Sequence, residues 1–551
     1  MFSKNKIKYQ SLLIGVFLLF CAFIATYPSF LNSYFKITMD GQIHFIRFEE
    51  IAQAFKAGHF PPLVNFMGFG HWGNAFTGMY PWISGLFFII PRIVFTNPIH
   101  AIMIGYFLVN LFTLINAYFL SRELTKKYYW QLLGTLLYEF NTYHLCVLYG
   151  RDALGEALAY TFLPLVFLGC IQIWNNKKVG ILTLALGMGM TANSHVITMA
   201  FTCLFIVIIE IFRIFGRKIT LKEVVRFIYA ALITGLIACF SLLNMLTLMQ
   251  SNELLTPGKG LSQVIPSEMF DAMLNNSISD NFSRSWNIGI IAFIMLLFLT
   301  FQLFTKKEGT WKYWTLGAWA VLISTFSWIP YSNFVVNSFF GNIQFLGRLN
   351  SFVVVFLVIA TVLYFDKYGA KLSEKTTFYV ISALMMLTCI FGCATYQTQL
   401  NDNPIRYYIT KGNYYSTIND ATNAQHDYMI TKNNKEVISQ KVLDETPKSL
   451  KTVDSNFNSL ILSFNEKNGQ KVTLPFMLYN GINYQVKVNG ENIRNFNSGQ
   501  VLSIKSRTGR NIVKVTSSPS ALNIFTFVIS MISITIVSIL LIMNIVKNKK
   551  N

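Results

Sequence analysis

The chain has 551 residues, of which 53% are apolar, 15% aromatic and only 13% charged, with a formal net charge of +20 at pH 7. Soluble domains carry about 25% charged residues, so a soluble globular enzyme is excluded, and the many long apolar runs exclude a disordered or collagen-like chain. The basic excess does not point to nucleic acid before it is compared with the Lys and Arg that cytoplasmic loops of membrane proteins carry.

In chain order, Lys4, Lys6 and Lys8 precede an apolar run over 11–29. A cleaved signal peptide and a first transmembrane helix share this pattern. The length of the run and the lack of a small-x-small cleavage site favour the anchor. Further spans are expected at 98–120, 130–149, 153–174, 179–194, 196–215, 224–248, 286–304, 313–330, 350–366, 377–396 and 521–546. With about 20 apolar residues per span, that makes about twelve. The run 80–95 is shorter, has Pro81 and Pro91 near its ends, and reads as a re-entrant or interfacial helix in a long first outer loop, 30–97.

Residues 397–520 are polar and rich in Asn, with alternation through Tyr484–Val488 followed by the hairpin signal Asn489-Gly490. The expected fold is therefore an all-α polytopic membrane domain over 1–396, a small extracytoplasmic β-rich domain over 397–520, and a last helix with a basic tail over 521–551. With the N-terminus inside, cytoplasmic segments hold 22 Lys and Arg against 8 in the short outer loops. This bias places both termini in the cytoplasm and makes the charge a topology signal. Nucleic acid is thus not an expected partner; the lipid bilayer is. All seven cysteines lie in apolar runs, and Cys389 and Cys393, four apart on one helix face, have no His nearby to suggest a metal.

Polar groups gather at the outer level. Asp40, His44 and Arg47 are spaced i, i+4 and i+7, which puts a carboxylate, an imidazole and a guanidinium on one helical face. The competing reading of Asp40 is a helix N-cap. Arg151, Asp152 and Glu156 open the fourth span, where the two acids form either a carboxylate pair or charges favoured by the helix dipole. Gln344 and Arg348 precede the 350–366 span, and Arg348 either binds an anion or snorkels to headgroups. His195 lies at the outer end of the 196–215 span. Glu139, inside the third span, is either functional or a protonated packing residue. P-loop, dinucleotide, H-E-x-x-H and G-x-S-x-G motifs are absent.

The order D-G-x-x-H-x-x-R (Asp40, His44, Arg47), Gly58-His59-Phe60-Pro61-Pro62, Phe66, Gly70, Tyr80-Pro81, R-D-A-L-G-E (Arg151–Glu156), Phe162-Leu163-Pro164-Leu165 and Gln344-Phe345-x-x-Arg348 resembles the bacterial YfhO-like and "6-pyruvoyl-tetrahydropterin synthase-related" membrane proteins. These look like members of the GT-C glycosyltransferase superfamily. Leu346-Gly347 replaces the Pro-Trp of the usual Q-F-P-W-R-F motif, and Leu349 follows the Arg. The resemblance implies a GT-C-like fold with a catalytic Asp in the first outer loop, matched by Asp40. It also implies inverting transfer of a sugar from a polyprenyl-phosphate donor to a cell-envelope glycan or lipid acceptor.

In that chemistry Asp40 is the catalytic base or holds a divalent metal such as Mg or Mn, and His44 is catalytic beside it, assisting either role; no other cofactor is implied. Arg47, Arg151 and Arg348 are candidates for the leaving phosphate, with Asp152, Glu156, Gln344 and His195 in supporting positions. A lipid-linked substrate flippase and a non-catalytic envelope assembly protein are the competing classes. Transport sites favour the bilayer midplane and repeat symmetry, whereas these polar groups gather at one end.

Overall fold

The computed structural model describes residues 2–32, 34–280, 283–399, 407–420, 425–433, 435–467, 470–493, 496 and 498–548. Among these, seven helices are long and apolar enough to cross a membrane: Gln10–Phe30, Pro98–Leu124, Leu154–Trp174, Val196–Phe215, Leu346–Tyr368, Glu374–Thr398 and Ala521–Lys547. Leu221–Ile237 and Cys239–Ser251, bent by 71°, make an eighth if they form one span.

The expected twelve exceed this because hydropathy measures an apolar run, not the helix that forms within it. Gly180–Ala192, Ile290–Leu303 and Trp311–Ser324 have 13, 14 and 14 residues. At 1.5 Å per residue such helices reach about 20 Å, short of a hydrocarbon core of about 30 Å. The expected span at 130–149 is broken: Tyr128–Glu139 ends, and Asn141 caps a new turn by accepting from the His144 amide. A π-helical turn, Cys146–Gly150, follows. Ile83–Val94 is likewise too short to span.

Two helices form the axis of the bundle. In the most apolar stretches of Leu154–Trp174 and Leu346–Tyr368, 94% and 89% of the residues are buried, against 11% and 17% in those of Val196–Phe215 and Ala521–Lys547. A helix that is apolar all round suits either a packed interior or lipid contact, so sequence pattern alone does not separate the two sets.

The β-rich unit is a five-stranded antiparallel sheet in the order Glu491–Ile493, Asn483–Val488, Gly509–Ser518, Ser459–Glu466, Lys451–Asn456, with a second pair, Gln500–Lys505 and Lys471–Leu478. The Asn489-Gly490 hairpin forms as expected, both residues having positive φ (50° and 87°) as a two-residue turn of this kind requires. The core of this unit is shared: Val64, Phe66 and Met79 of the first loop pack with Leu460, Phe464, Phe476 and Val515, and Phe66 stacks on Phe476 at 5.8 Å. Strand Phe35–Ile37 also pairs antiparallel with Tyr407–Ile409. The first loop and the β-rich unit therefore lie on one side of the bundle.

Candidate functional site

The site begins with a helix start. Thr38, in extended conformation, caps helix Met39–Lys56, and its hydroxyl accepts from the Gly41 amide. Asp40 is therefore not the N-cap, and its carboxylate is free to face elsewhere. The start is pinned by the segment at 151–152. The Thr38 amide donates to Asp152 Oδ2 at 2.8 Å, and the Thr38 hydroxyl donates to the Arg151 carbonyl. Asp152 Oδ1 accepts from the Tyr106 hydroxyl at 2.9 Å. Asp152 is fully buried, in the left-handed region at φ 53°, and precedes the helix that contains Glu156. Its two oxygens hold the start of the 39–56 helix and the Tyr106 hydroxyl, whereas those of Glu156 serve Arg348 and Tyr143.

The π-helical turn ends at Gly150 and delivers Arg151, whose amide donates back to the Cys146 carbonyl at 2.8 Å; such turns recur at functional sites. Gly150 has no room for a side chain, since a Cβ there would fall 2.0 Å from the Ile278 carbonyl oxygen. Arg151 Nε donates to Asp40 Oδ2 at 2.9 Å, and its Nη1 lies 3.7 Å from Glu156 Oε2. That Nη1 is buried and has no hydrogen-bond partner among the described residues. Arg348 Nε donates to the same Glu156 oxygen at 3.0 Å, and its Nη1 donates to the Ile343 carbonyl and to Gln344 Oε1. Tyr143 donates to Glu156 Oε1 at 2.6 Å. Both guanidiniums lie over the Phe345 ring, and Arg151 also lies over Trp286.

These contacts turn Arg348 into the protein, against the headgroup-snorkelling reading. Burial works against the Arg151 cation, but Asp40 and then Glu156 outweigh it and raise its pKa. Asp40 keeps 38% of its side chain exposed, whereas Arg151 keeps 11%. A reachable carboxylate thus sits beside one tightly held cation, Arg151, which is tied through Glu156 to Arg348.

His44 and Arg47 form a second, deeper group. Arg47 is fully buried; its Nη1 donates to His44 Nδ1 at 3.3 Å, its Nη2 donates to the Tyr80 carbonyl at 2.6 Å, and it lies over the Tyr80 ring. Tyr80 stands edge-on to His44 and tilted to His195. His195 caps helix Val196–Phe215 through the Thr198 amide. Burial, with Arg47 second, holds the His44 imidazole well below its usual pKa, and burial with Arg348 lowers His195 to about 3. Both rings are neutral at pH 7. Burial brings Arg47 down to about 10, still charged. The shared helical face therefore exists, but it divides: Asp40 turns to Arg151, while His44 and Arg47 turn to Tyr80.

The Asp40 and His44 pair was a candidate for Mg or Mn. The Nδ1 lone pair of His44 faces an Arg47 N–H and Asp40 Oδ2 is engaged by Arg151, and among the described residues no three His, Cys, Asp or Glu side chains gather as a donor set. These residues do not fit a hard divalent ion, which takes several oxygen ligands. Cys389 and Cys393 are buried. Glu139 belongs to a different place, with its carboxylate 3.8 Å from His144 Nε2 inside the bundle.

Sequence spacing missed three contributors. Tyr143 and Trp286 support the two arginines, and each resembles any other aromatic of a membrane segment, whereas Phe345 was part of the Gln344-Phe345-x-x-Arg348 motif. Asp427, from the β-rich region, is the third. Burial and then the Asp40 charge push its carboxyl above the usual range, which places a second carboxylate in the field of Asp40. Its sequence setting, His426-Asp427-Tyr428, carries no recognisable signal.

Among known families, the one described as bacterial membrane protein YfhO matches residues 68–418. The match contains Arg151, Asp152, Glu156, His195, Gln344 and Arg348 and begins after Asp40, His44 and Arg47. No curated protein matches the chain.

Proposed function

This chain belongs to the YfhO family of bacterial membrane proteins, and from that premise we propose that it transfers a sugar from a polyprenyl-phosphate donor to a cell-envelope polymer or lipid acceptor on the extracytoplasmic face. The observation that carries the reading is the part-exposed Asp40 carboxylate beside Arg151, whose buried Nη1 has a hydrogen bond still to give and which shares Glu156 with Arg348. Transfer needs a base at the acceptor hydroxyl and cations where the leaving phosphate gathers charge.

In this reading Asp40 takes the proton of the acceptor hydroxyl as its oxygen bonds to the anomeric carbon. The bond from that carbon to the phosphate oxygen breaks, and the phosphate keeps the electron pair. Arg151 and Arg348 receive the phosphate oxygens. Glu156 holds both guanidiniums in register, and Gln344 orients Arg348. The Arg47, His44 and Tyr80 group fixes the helix that presents Asp40. No step uses a metal.

A second reading, a non-catalytic envelope assembly protein, is favoured by one observation: the Asp40–Arg151 ion pair also ties the first loop to the bundle. Asp40→Asn separates the two, because it keeps the shape and a hydrogen-bond acceptor for Arg151. As a base, Asp40 is expected to be worth about 10² to 10⁴ in rate. Purified Asp40→Asn protein, assayed with the polyprenyl-phosphate sugar that accumulates in cells lacking the protein, should be folded and inactive. Full activity in this variant would remove Asp40 from the chemistry.

A further inference from the structure

Part of the basic excess is not a topology signal. Residues 451–518 hold nine Lys or Arg against three Asp or Glu, and long extramembrane segments are exempt from the rule that concentrates Lys and Arg in short cytoplasmic loops. Strand pairing gathers this charge. On the outward face of the five-stranded sheet Lys487 stands opposite Lys514, and on the second pair of strands Lys471 stands opposite Lys505. Like charges directly opposite one another cost a sheet stability. Arg510 and Lys451 share the outward face of Lys514, and Arg510 Nε donates to the Ser463 hydroxyl at 3.2 Å. Among the described residues none of these six cations is in an ion pair, whereas Arg507 nearby is held by Glu491. Of the other two acids, Glu466 turns to the Lys467 amide, and Asp454 is separated from Lys514 by Ile461. Residues 421–424, 434, 468–469, 494–495 and 497 lie outside the described set, but they contain no Asp or Glu and so cannot neutralise this charge.

The cations lie toward the end of the β-rich unit that points away from the bundle. At the near end the Asn480 amide donates to Asn252 Oδ1 at 2.8 Å and its side chain donates to the Ser251 carbonyl. Strand Gly509–Ser518 runs from there into the last helix, and its Ser518 is paired with the equally uncharged Asn483. Along that strand, at about 3.4 Å per residue, Lys514 lies about 14 Å and Arg510 about 27 Å from Ser518. Lys471 likewise sits at the far end of its strand from Leu478. With a screening length of about 8–10 Å, lipid headgroups at the start of the last helix are out of range. The outward positions of strands Asn483–Val488 and Gly509–Ser518 carry no aromatic ring, so nucleic-acid bases find no stacking platform there.

We propose that this surface docks a linear polyanion of the cell envelope, a polymer with one phosphate or carboxylate per repeat unit. An anion placed between the two lysines of a pair turns their mutual repulsion into a shared attraction, which gives the opposed pairs a use that offsets their cost to the sheet. Binding needs neither Asp40 nor turnover, so an active Asp40→Asn enzyme would refute the proposed transfer and leave this surface untouched.

The test uses the full chain in phosphatidylcholine nanodiscs, with fluorescein-labelled inorganic polyphosphate and polygalacturonate as probes read by fluorescence anisotropy. Lys487→Gln/Lys514→Gln and, separately, Lys471→Gln/Lys505→Gln should each weaken binding about tenfold at 50 mM salt, while their melting temperatures stay level or rise. Raising the salt to 200 mM should weaken wild-type binding about a hundredfold. Lys218→Gln/Lys222→Gln, which removes the same charge from exposed positions after helix Val196–Phe215, should bind like wild type. The tighter of the two probes identifies the repeat as phosphate or carboxylate. Wild-type affinity in both lysine-pair variants, or an equal loss in Lys218→Gln/Lys222→Gln, would overturn the inference. So would displacement of the probe by phosphatidylglycerol vesicles at equal charge, which assigns the surface to a membrane, or tighter binding of oligothymidylate than of either probe, which assigns it to nucleic acid.

Discussion

Glu156→Gln tests whether the two arginines act as one unit. A single buried carboxylate serves both: Oε2 accepts from Arg348 at 3.0 Å and lies 3.7 Å from Arg151 Nη1, while Oε1 accepts from Tyr143 at 2.6 Å. The amide keeps the shape and the Tyr143 bond but turns an N–H group toward two guanidiniums. Removing one partner from a buried ion pair costs about 3–5 kcal/mol. Arg151 keeps Asp40, and both cations keep the Phe345 ring, so the expected loss is at the low end, about 3 kcal/mol. That is roughly a hundredfold in the folding equilibrium constant. Reversible unfolding in mixed micelles measures it. The double variant Glu156→Gln/Arg348→Gln should lose less than the two single losses combined, by more than about 1 kcal/mol, because the second substitution removes a cation that the first left unpaired. A Glu156→Gln loss under about 0.5 kcal/mol, or additive single losses, would refute the shared-carboxylate argument.

Arg348→Lys should raise the apparent KM for the lipid-linked donor, or lower kcat if the contact strengthens as phosphate leaves, because an ammonium cannot make paired planar contacts; wild-type kinetics in both Arg348→Lys and Arg348→Gln would take Arg348 out of the site. The folded-state pKa of Asp427 is raised above its ordinary 3.8, first by burial and then by Asp40, so its ionisation costs stability as pH rises through the folded value and costs nothing below about 3.8. Asp427→Asn should therefore raise the melting temperature at pH 7 and lose that advantage as the pH falls toward 3.8; an equal gain at both pH values would contradict it. A cysteine placed by Thr452→Cys on the edge strand Lys451–Asn456 should react with a membrane-impermeant reagent in intact cells if the β-rich unit is extracytoplasmic, and protection there would reverse the proposed topology.

The parts legible in sequence were those with a local physical signature. The Asn489-Gly490 turn, the apolar runs and the nearness of Asp40, Arg151 and Arg348 each follow from residue type and spacing. Helix length was not legible, because Asn141 and the turn after it interrupt an apolar run that hydropathy treats as continuous. Spacing on the 39–56 helix put Asp40, His44 and Arg47 on one face correctly. It could not say that Arg151 would draw Asp40 to one side while the Tyr80 carbonyl drew Arg47 to the other. Asp427 was beyond reach, since its nearness to Asp40 depends on how the β-rich region packs over the first loop.

The family match begins at residue 68, so the proposed base lies outside the matched segment while the proposed phosphate ligands lie within it. The geometry makes this division less sharp than it reads on the chain. Asp152 and the Arg151 carbonyl hold the amide and the hydroxyl of Thr38, the residue that starts the Asp40 helix, and Arg151 itself then takes the Asp40 carboxylate. Strand Phe35–Ile37, just upstream, pairs with Tyr407–Ile409 of the matched segment. The three residues 150–152 thus fix the cation, the helix start and the carboxylate together. A backbone shift there would displace the base and its neighbouring cation at once, and the lack of room for any side chain at Gly150 is the local constraint that holds them in place.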